Sequence, residues 1–325
     1  SKEFEKLLNS QLSKVNIEEG KIIDGKINKI TEKFVFLFIE GLKSEPVLDI
    51  NELKTMGLAD KIKIGETIPV LLEKPISDNI KKAEKIIKSS KKNKTHLLIG
   101  YHRRHNSIIK SVKQKIDSGK FGKIVAGNIM CWLYKNKDWY KEKWRIKKGG
   151  GPLGINLVHD IDLICYLLGP VQSVQSSTSN RIRKHEVEDT AVVNFTFKSG
   201  ALCALSVSDT IVGPWSYELT AGENPAYPVT NQSAYYIGGT KGSIQFPNLK
   251  HWYNKGERSW WKPMYHKDMN IRLSRFTLIN QINHFCDVVS GKAKPKVTGE
   301  DGLQSLKIFD AIIKSSKSGK KISIK

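Results

Sequence analysis

The stretch VLLEKPIS, Val70–Ser77, decides how this chain is read, because two different sequence patterns meet in it. Upstream, Gly20, Gly25, Gly41, Gly57 and Gly65 separate short runs rich in β-branched and aromatic residues. None of these glycines forms the G-x-G-x-x-G turn that lays a pyrophosphate on a helix N-terminus. Downstream, longer apolar periodicities alternate with strand-like runs. Charge divides at the same place. Residues 1–73 hold 11 lysines, no arginine and 13 acidic residues, about −2, whereas the whole chain is +22. The remaining 43 basic and 19 acidic residues leave about +24 on the rest. Asymmetry of that size points to parts with different roles or origins.

In the first block, Phe4, Leu7, Leu8 and Leu12 recur at helical spacing, so 3–15 is predicted as a short amphipathic helix. Strands are expected at 21–30, 34–39, 46–49 and 67–72, a pattern that suits a small closed barrel. The string EEGKIIDGKINKITEKFVFLFIEGLKSEPVLDINEL resembles the first OB-type repeat of bacterial ribosomal protein S-one. That resemblance implies ribosome docking, or RNA contact through Phe34, Phe36 and Phe38. Alternating Phe in a strand is more simply core, and an acidic block lacks the cations that neutralise phosphate.

Beyond the join, EKP at 73–75 precedes a helix near 79–90, a strand at 95–101, YHRRHN at 101–106 and a helix at 108–118. Next come FGKIVAGNIMCWLY, KWR at 143–145 and GGGPLGINLVHDIDLICYLLG at 149–169. In this order the motifs resemble the Gfo/Idh/MocA oxidoreductase family over residues 73–325. The resemblance implies hydride transfer between NAD or NADP and a sugar, cyclitol or related polyol.

The site residues follow from matching those motifs. Lys74 stands where the family keeps a lysine beside the nicotinamide, able to take the hydroxyl proton as hydride leaves carbon. Glu73 and Pro75 flank it as cofactor contacts, and Pro75 fixes the backbone. His159 and Asn156 fall on the first turns of the next motif as further catalytic candidates. The family holds an aspartate four residues before this histidine. Here the position is Ile155, and Asn156 is the nearest polar substitute. Arg103 and Arg145 are candidate cofactor contacts. Arg104, Trp132 and Asp160 are candidate substrate contacts, with Trp139 and Trp215 as further pocket aromatics. A guanidinium fork suits carboxylate or phosphate. No metal site is expected.

The segments VQSVQSSTSN, DTAVVNFTF and ALCALSVSDT read as antiparallel strands, with Lys198-Ser199-Gly200 as a hairpin turn. Further strands are expected at 217–221, 234–237 and 243–246, helices at 273–290 and 300–318, and a last strand at 321–325. The run Gly238–Gly242 has no following helix and reads as a turn rather than a phosphate loop. Cys131, Cys165, Cys203 and Cys286 form no C-x-x-C pair and are expected as free thiols. Lysines are scattered rather than clustered, which fits solvated surface charge. With no signal peptide and no apolar run near the roughly 18 residues of a membrane span, a cytoplasmic protein is expected. The chain begins at Ser1 rather than Met, as a processed product or a fragment would.

The expected fold is thus α/β plus all-β. It comprises an OB-type barrel at 1–73, a truncated Rossmann remnant at 74–120, and an α+β domain at 121–325 with an open antiparallel sheet. That sheet is a candidate surface for homo-oligomerisation. Two functions stay open: an NAD(P)-dependent oxidoreductase with weakened cofactor binding, or a non-catalytic composite whose barrel docks on RNA or a ribosome.

Overall fold

The computed structural model describes residues 22–32, 34–38, 47–49, 63–65, 67–71, 76–92, 97–224, 227–269 and 277–324. The amphipathic helix expected at 3–15, and Glu73, Lys74 and Pro75, lie outside the described residues. The chain divides into two compact units, Ser1–Gly100 and Tyr101–Lys325.

In the first unit, β1 (Ile22–Ile30), β2 (Phe34–Phe38), β3 (Val47–Asp49) and β4 (Thr67–Leu71) form one sheet in the order β3-β2-β1-β4. All its pairings are antiparallel. Val35 and Leu37 on β2, with Ile27 on β1, are buried, whereas Phe36 between them is half-buried. Of the three central positions of β2, the two aliphatic side chains are the buried ones. Closure of this sheet into a barrel is not seen among the described residues. Helix α1 (Ile80–Lys92) follows and buries Ala83, Ile86 and Ile87, three positions on one helical face. Residues 97–100 have no regular secondary structure, so the strand expected at 95–101 is not formed among the described residues.

The second unit begins with a 3-10 turn, His102–His105, and α2 (Ser107–Asp117). The Asn106 side chain accepts from the backbone N–H of Ile108 and starts that helix. The nine-stranded sheet comprises β5 (Ile124–Trp132), β6 (Val171–Ser179), β7 (Thr190–Phe197), β8 (Leu202–Ser208), β9 (Tyr235–Gly239), β10 (Ser243–Phe246), β11 (Lys250–Tyr253), β12 (Tyr265–Asp268) and β13 (Ile322–Ser323). Its order is β12-β11-β10-β9-β5-β8-β7-β6-β13.

Three expectations are corrected here. The sheet is mixed, because β5 runs parallel to β8 in an otherwise antiparallel array. The strand expected at 217–221 is instead the short helix α4 (Tyr217–Thr220), started by the Ser216 side chain accepting from Leu219 N. Strands β11 and β12 have no counterpart in the sequence reading; their polar, aromatic-rich residues carry no clean alternation.

The core lies on one face of this sheet. Helix α3 (Val158–Leu168) and helix α6 (Gly299–Ser318) supply Ile161, Ile164, Leu167, Ile308 and Ile312, which meet Val193, Phe195, Phe197, Cys203 and Leu205. Helix α6 starts in a capping box, Thr298 with Asp301, and ends at Gly319 in the left-handed region, φ 68°. Helix α5 (Thr277–Val289) packs beside the His102–His105 turn. Between β9 and β10, Gly239 N donates to Gly242 O, so Gly238–Gly242 is a strand-to-strand turn as expected. The four cysteines form no disulfide. Among the described residues no helix is long and apolar enough to cross a membrane.

Candidate active site

Parallel β5 and β8 leave the sheet at the same end, and the chains beyond them stay paired. Leu133 N donates to Ser208 O and Lys135 N to Asp209 O. Crevices outside the carboxyl ends of parallel strands are the common ligand sites of α/β folds. The two-residue period then sorts the β5 side chains. Ile129, Cys131, Leu133 and Lys135 fall on the helix-covered side and are buried. Trp132 falls on the open side, donating from Nε1 to Ser206 Oγ at 2.9 Å with its ring edge-on to Trp215 at 5.4 Å. The sheet therefore separates Trp132 from the face that carries Cys131 and Tyr235.

On the covered side the glycine run shapes the entry to α3. Gly149 has a φ of 90°, which favours glycine. A Cβ on Gly150 would collide with the backbone of Trp144 and Arg145. One on Gly151 would meet the Glu188 carboxylate, which accepts from Leu153 N at 3.0 Å. A π-turn, Leu153–Leu157, follows and contains Asn156, half-buried. Widened turns of this type gather at functional sites. It delivers His159 onto the first turn of α3, where its ring meets His102 at 4.9 Å and Tyr101 at 6.0 Å, both edge-on.

The adjacent Asp160 points into the protein and is fully buried, as is Arg103. Arg103 donates to Asp160 Oδ1 at 2.7 Å, to Glu218 Oε1 at 2.7 Å and to the Tyr235 hydroxyl at 3.2 Å, and lies over the Tyr217 ring. The Tyr235 hydroxyl also donates to Asp160. Burial pushes the Asp160 carboxyl above its usual range, opposed by the Arg103 charge. Arg104 forks onto both oxygens of buried Asp162, at 3.0 and 2.6 Å, and reaches Asp301 at 3.1 Å and Lys296 O at 3.2 Å. Arg103, Arg104 and Asp160, expected at cofactor and substrate, are thus enclosed in protein ion pairs. Glu218 and Tyr235 lie in elements far along the chain from Asp160 and carry no local signal, whereas Asp162 shares α3 with Asp160 and the H-D-x-D spacing in LVHDIDL was its available signal.

Arg145 has a different setting. It stacks on Trp139 at 3.7 Å and donates to Trp139 O at 2.8 Å. Among the described residues its buried Nε has no hydrogen-bond partner. Lys135, also unrecognised in the sequence, places its ammonium 4.2 Å from the same indole centroid, and burial lowers its pKa. Among the described residues no carboxylate lies within ion-pair distance of either cation. Beside them Asp209 accepts from Tyr140 at 2.6 Å and Arg183 at 2.9 Å. The structure thus brings His159, Asp160, Arg103 and Glu218 into one connected region, with Lys135 and Arg145 sharing Trp139. Among the described residues no group of three or more His, Cys, Asp or Glu is placed to hold a metal ion.

Comparison with known proteins agrees with this architecture. The chain is 22% identical over 298 residues to 1,5-anhydro-D-fructose reductase of Ensifer adhaerens, covering 88% of this chain and 83% of that protein. It is 25% identical to myo-inositol 2-dehydrogenase of Thermotoga maritima over 76% of this chain and 70% of the relative. Among solved structures, the fold matches the WlbA dehydrogenase of Bordetella pertussis in complex with NADH and UDP-GlcNAcA. The TM-score is 0.60 and the identity 22%, over 78% of this chain and 70% of that one. The model of the oxidoreductase family's C-terminal alpha/beta domain matches residues 113–324, and the chain belongs to the Gfo/Idh/MocA oxidoreductase family.

Proposed function

We propose that this chain carries the substrate-handling half of an NAD(P)-dependent oxidoreductase for a sugar, cyclitol or related polyol. The observation that carries the reading is the delivery of His159 by the glycine run and π-turn onto a face shared with His102 and Tyr101. In this reading His159 binds or relays a proton of a substrate hydroxyl, and Asn156 lies one turn before it. Arg103, Arg104, Asp160 and Asp162 hold the turn and α3 in place rather than contacting ligand. Arg145 and Lys135, on Trp139, are the cations left for a bound anion or hydroxyl. Trp132 belongs to the open sheet face.

The dinucleotide fits less well. The pairings among β1–β4 in the described residues are antiparallel, and the sequence of residues 1–73 contains no G-x-G-x-x-G. A first block without that motif lacks the usual sequence of a pyrophosphate cradle, so binding of NAD or NADP is expected to be weak. The antiparallel first sheet instead favours the second reading, a docking block carried by a catalytically weak domain. RNA or ribosome contact would belong to that block. Titrating the full chain with NADH and NADPH, read by tryptophan fluorescence transfer, separates the two. Micromolar saturation lost in Lys74→Ala supports the enzyme; no saturation supports the docking reading.

A second copy of the chain is the proposed partner of the open sheet face. Val192, Leu202 and Tyr236 stand on it and remain 46%, 57% and 37% exposed. Sedimentation of Leu202→Glu against the parent chain tests this: dimer lost in the variant supports it, and a monomeric parent overturns it.

A further inference from the structure

The turn that leads into His159, Leu153–Leu157, contains no carboxylate, but the ring set against His159, that of His102, is held by one. Glu223, in the loop after α4, accepts from His102 Nε2 at Oε1, 3.0 Å away. Its Oε2 accepts from Asn106 Nδ2 at 2.8 Å and Thr277 Oγ1 at 3.0 Å. The Glu223 side chain is 8% exposed. Burial alone would raise its carboxyl, but the His102 hydrogen bond and charge, with Arg103 and Asn106, hold it below its ordinary value. It is therefore ionised at neutral pH and can only accept. His102 Nε2 must carry a proton, which leaves Nδ1 with a lone pair in the neutral ring. His102 keeps 22% exposure and sets its ring edge-on to His159, 4.9 Å between centroids.

We propose that Glu223 is a positioning residue of the candidate active site. Through His102 it supplies the carboxylate that the turn before His159 lacks, fixing the Nε2–H tautomer of His102 and the ring against which His159 is oriented. Two separated stretches, the 102–106 turn and the start of α5, spend donors on this one anion. A buried charge is costly unless its oxygens are satisfied in this way. The chemical role rests on the proposed role of His159; the geometry does not.

The test is the imidazole nitrogen spectrum of the full chain carrying labelled histidine, with His102 and His159 assigned by substitution and no cofactor or substrate added. The parent chain is expected to show neutral His102 wholly as the Nε2–H tautomer, and Glu223→Ala a mixture of both tautomers. His102→Gln leaves Glu223 held by Asn106 and Thr277, so it decides the matter should Glu223→Ala fail to fold. In that variant the His159 signals are expected to move. An Nδ1–H tautomer in the parent chain, or unmoved His159 signals in His102→Gln, overturns the proposal. Failure of NADH to bind would instead count against the oxidoreductase reading and leave this spectrum unchanged.

Discussion

The turn at 101–106 and the segment at 135–151 both bring cations and aromatic rings to the same region, but they use them in opposite ways. In the turn, Arg103 and Arg104 each face buried carboxylates and are sealed from solvent. In the segment, Arg145 and Lys135 share one indole and, among the described residues, form no ion pair with a carboxylate. The difference teaches that an arginine's role is set by what the fold packs against it. A guanidinium with saturated donors organises a site; one that rests on a ring keeps donors for something else.

The sharpest way to break this contrast is Arg103→Met. It would strand Asp160 and Glu218 without their counter-charge, and removing one partner of a buried pair costs about 3–5 kcal/mol. Chemical denaturation of the variant should show a loss of that size. A loss below about 1 kcal/mol, the range of exposed pairs, would mean the turn is not the locked element described.

The glycine run offers the next largest effect. Gly150→Ala drives a methyl into the Trp144 and Arg145 backbone, and overpacking of this kind costs about 1–3 kcal/mol. Gly151→Ala meets only the flexible end of Glu188 and should cost less. Equal losses in thermal melts would show that the backbone approach at Gly150 is not the tighter constraint.

A pH series sharpens the buried side. Burial lowers the His105 ring from 6.5 to about 3, and its partner across the packing is the His284 ring at 5.1 Å. A base depressed in the folded state binds its proton preferentially when unfolded. Its contribution is complete above about 6.5 and is lost as pH falls toward 3, with a slope of at most about 1.4 kcal/mol per pH unit. His105→Leu should flatten that limb of the stability profile. An unchanged slope would place the acid sensitivity elsewhere.

Smallest is the effect of Arg145→Ala on stability, about 0.5–1 kcal/mol for a partly exposed cation–π contact. If the segment is the ligand-facing one, the same change should weaken ligand binding far more than it shifts the melting temperature. A melting shift as large as that of Arg103→Met would erase the distinction between the two regions.

Much of the second unit was legible in the chain. Alternation marked β6, β7, β8 and β10, and the apolar spacing of Leu157, Ile161, Ile164 and Leu168 marked the buried face of α3, because these patterns are local and repeat. Tyr217–Thr220 was misread because an aromatic and β-branched run looks like a strand until Ser216 caps it. His159 is marked as a candidate by its glycine-rich approach, whereas Lys135, Glu218 and Glu223 carry no local signature.

By itself, then, the sequence determined the charge division between residues 1–73 and the rest, the lack of a G-x-G-x-x-G run in residues 1–73 and the order of motifs that marks the family. The tertiary structure alone decided that β5 and β8 run parallel, that Arg103 and Arg104 are spent on Asp160 and Asp162, and that Glu223 comes to His102. Hydrophobic period and turn chemistry act over a few residues and can be read along a line. Charge pairing joins residues 57, 58 and 121 positions apart, and only the folded chain brings them within hydrogen-bond distance.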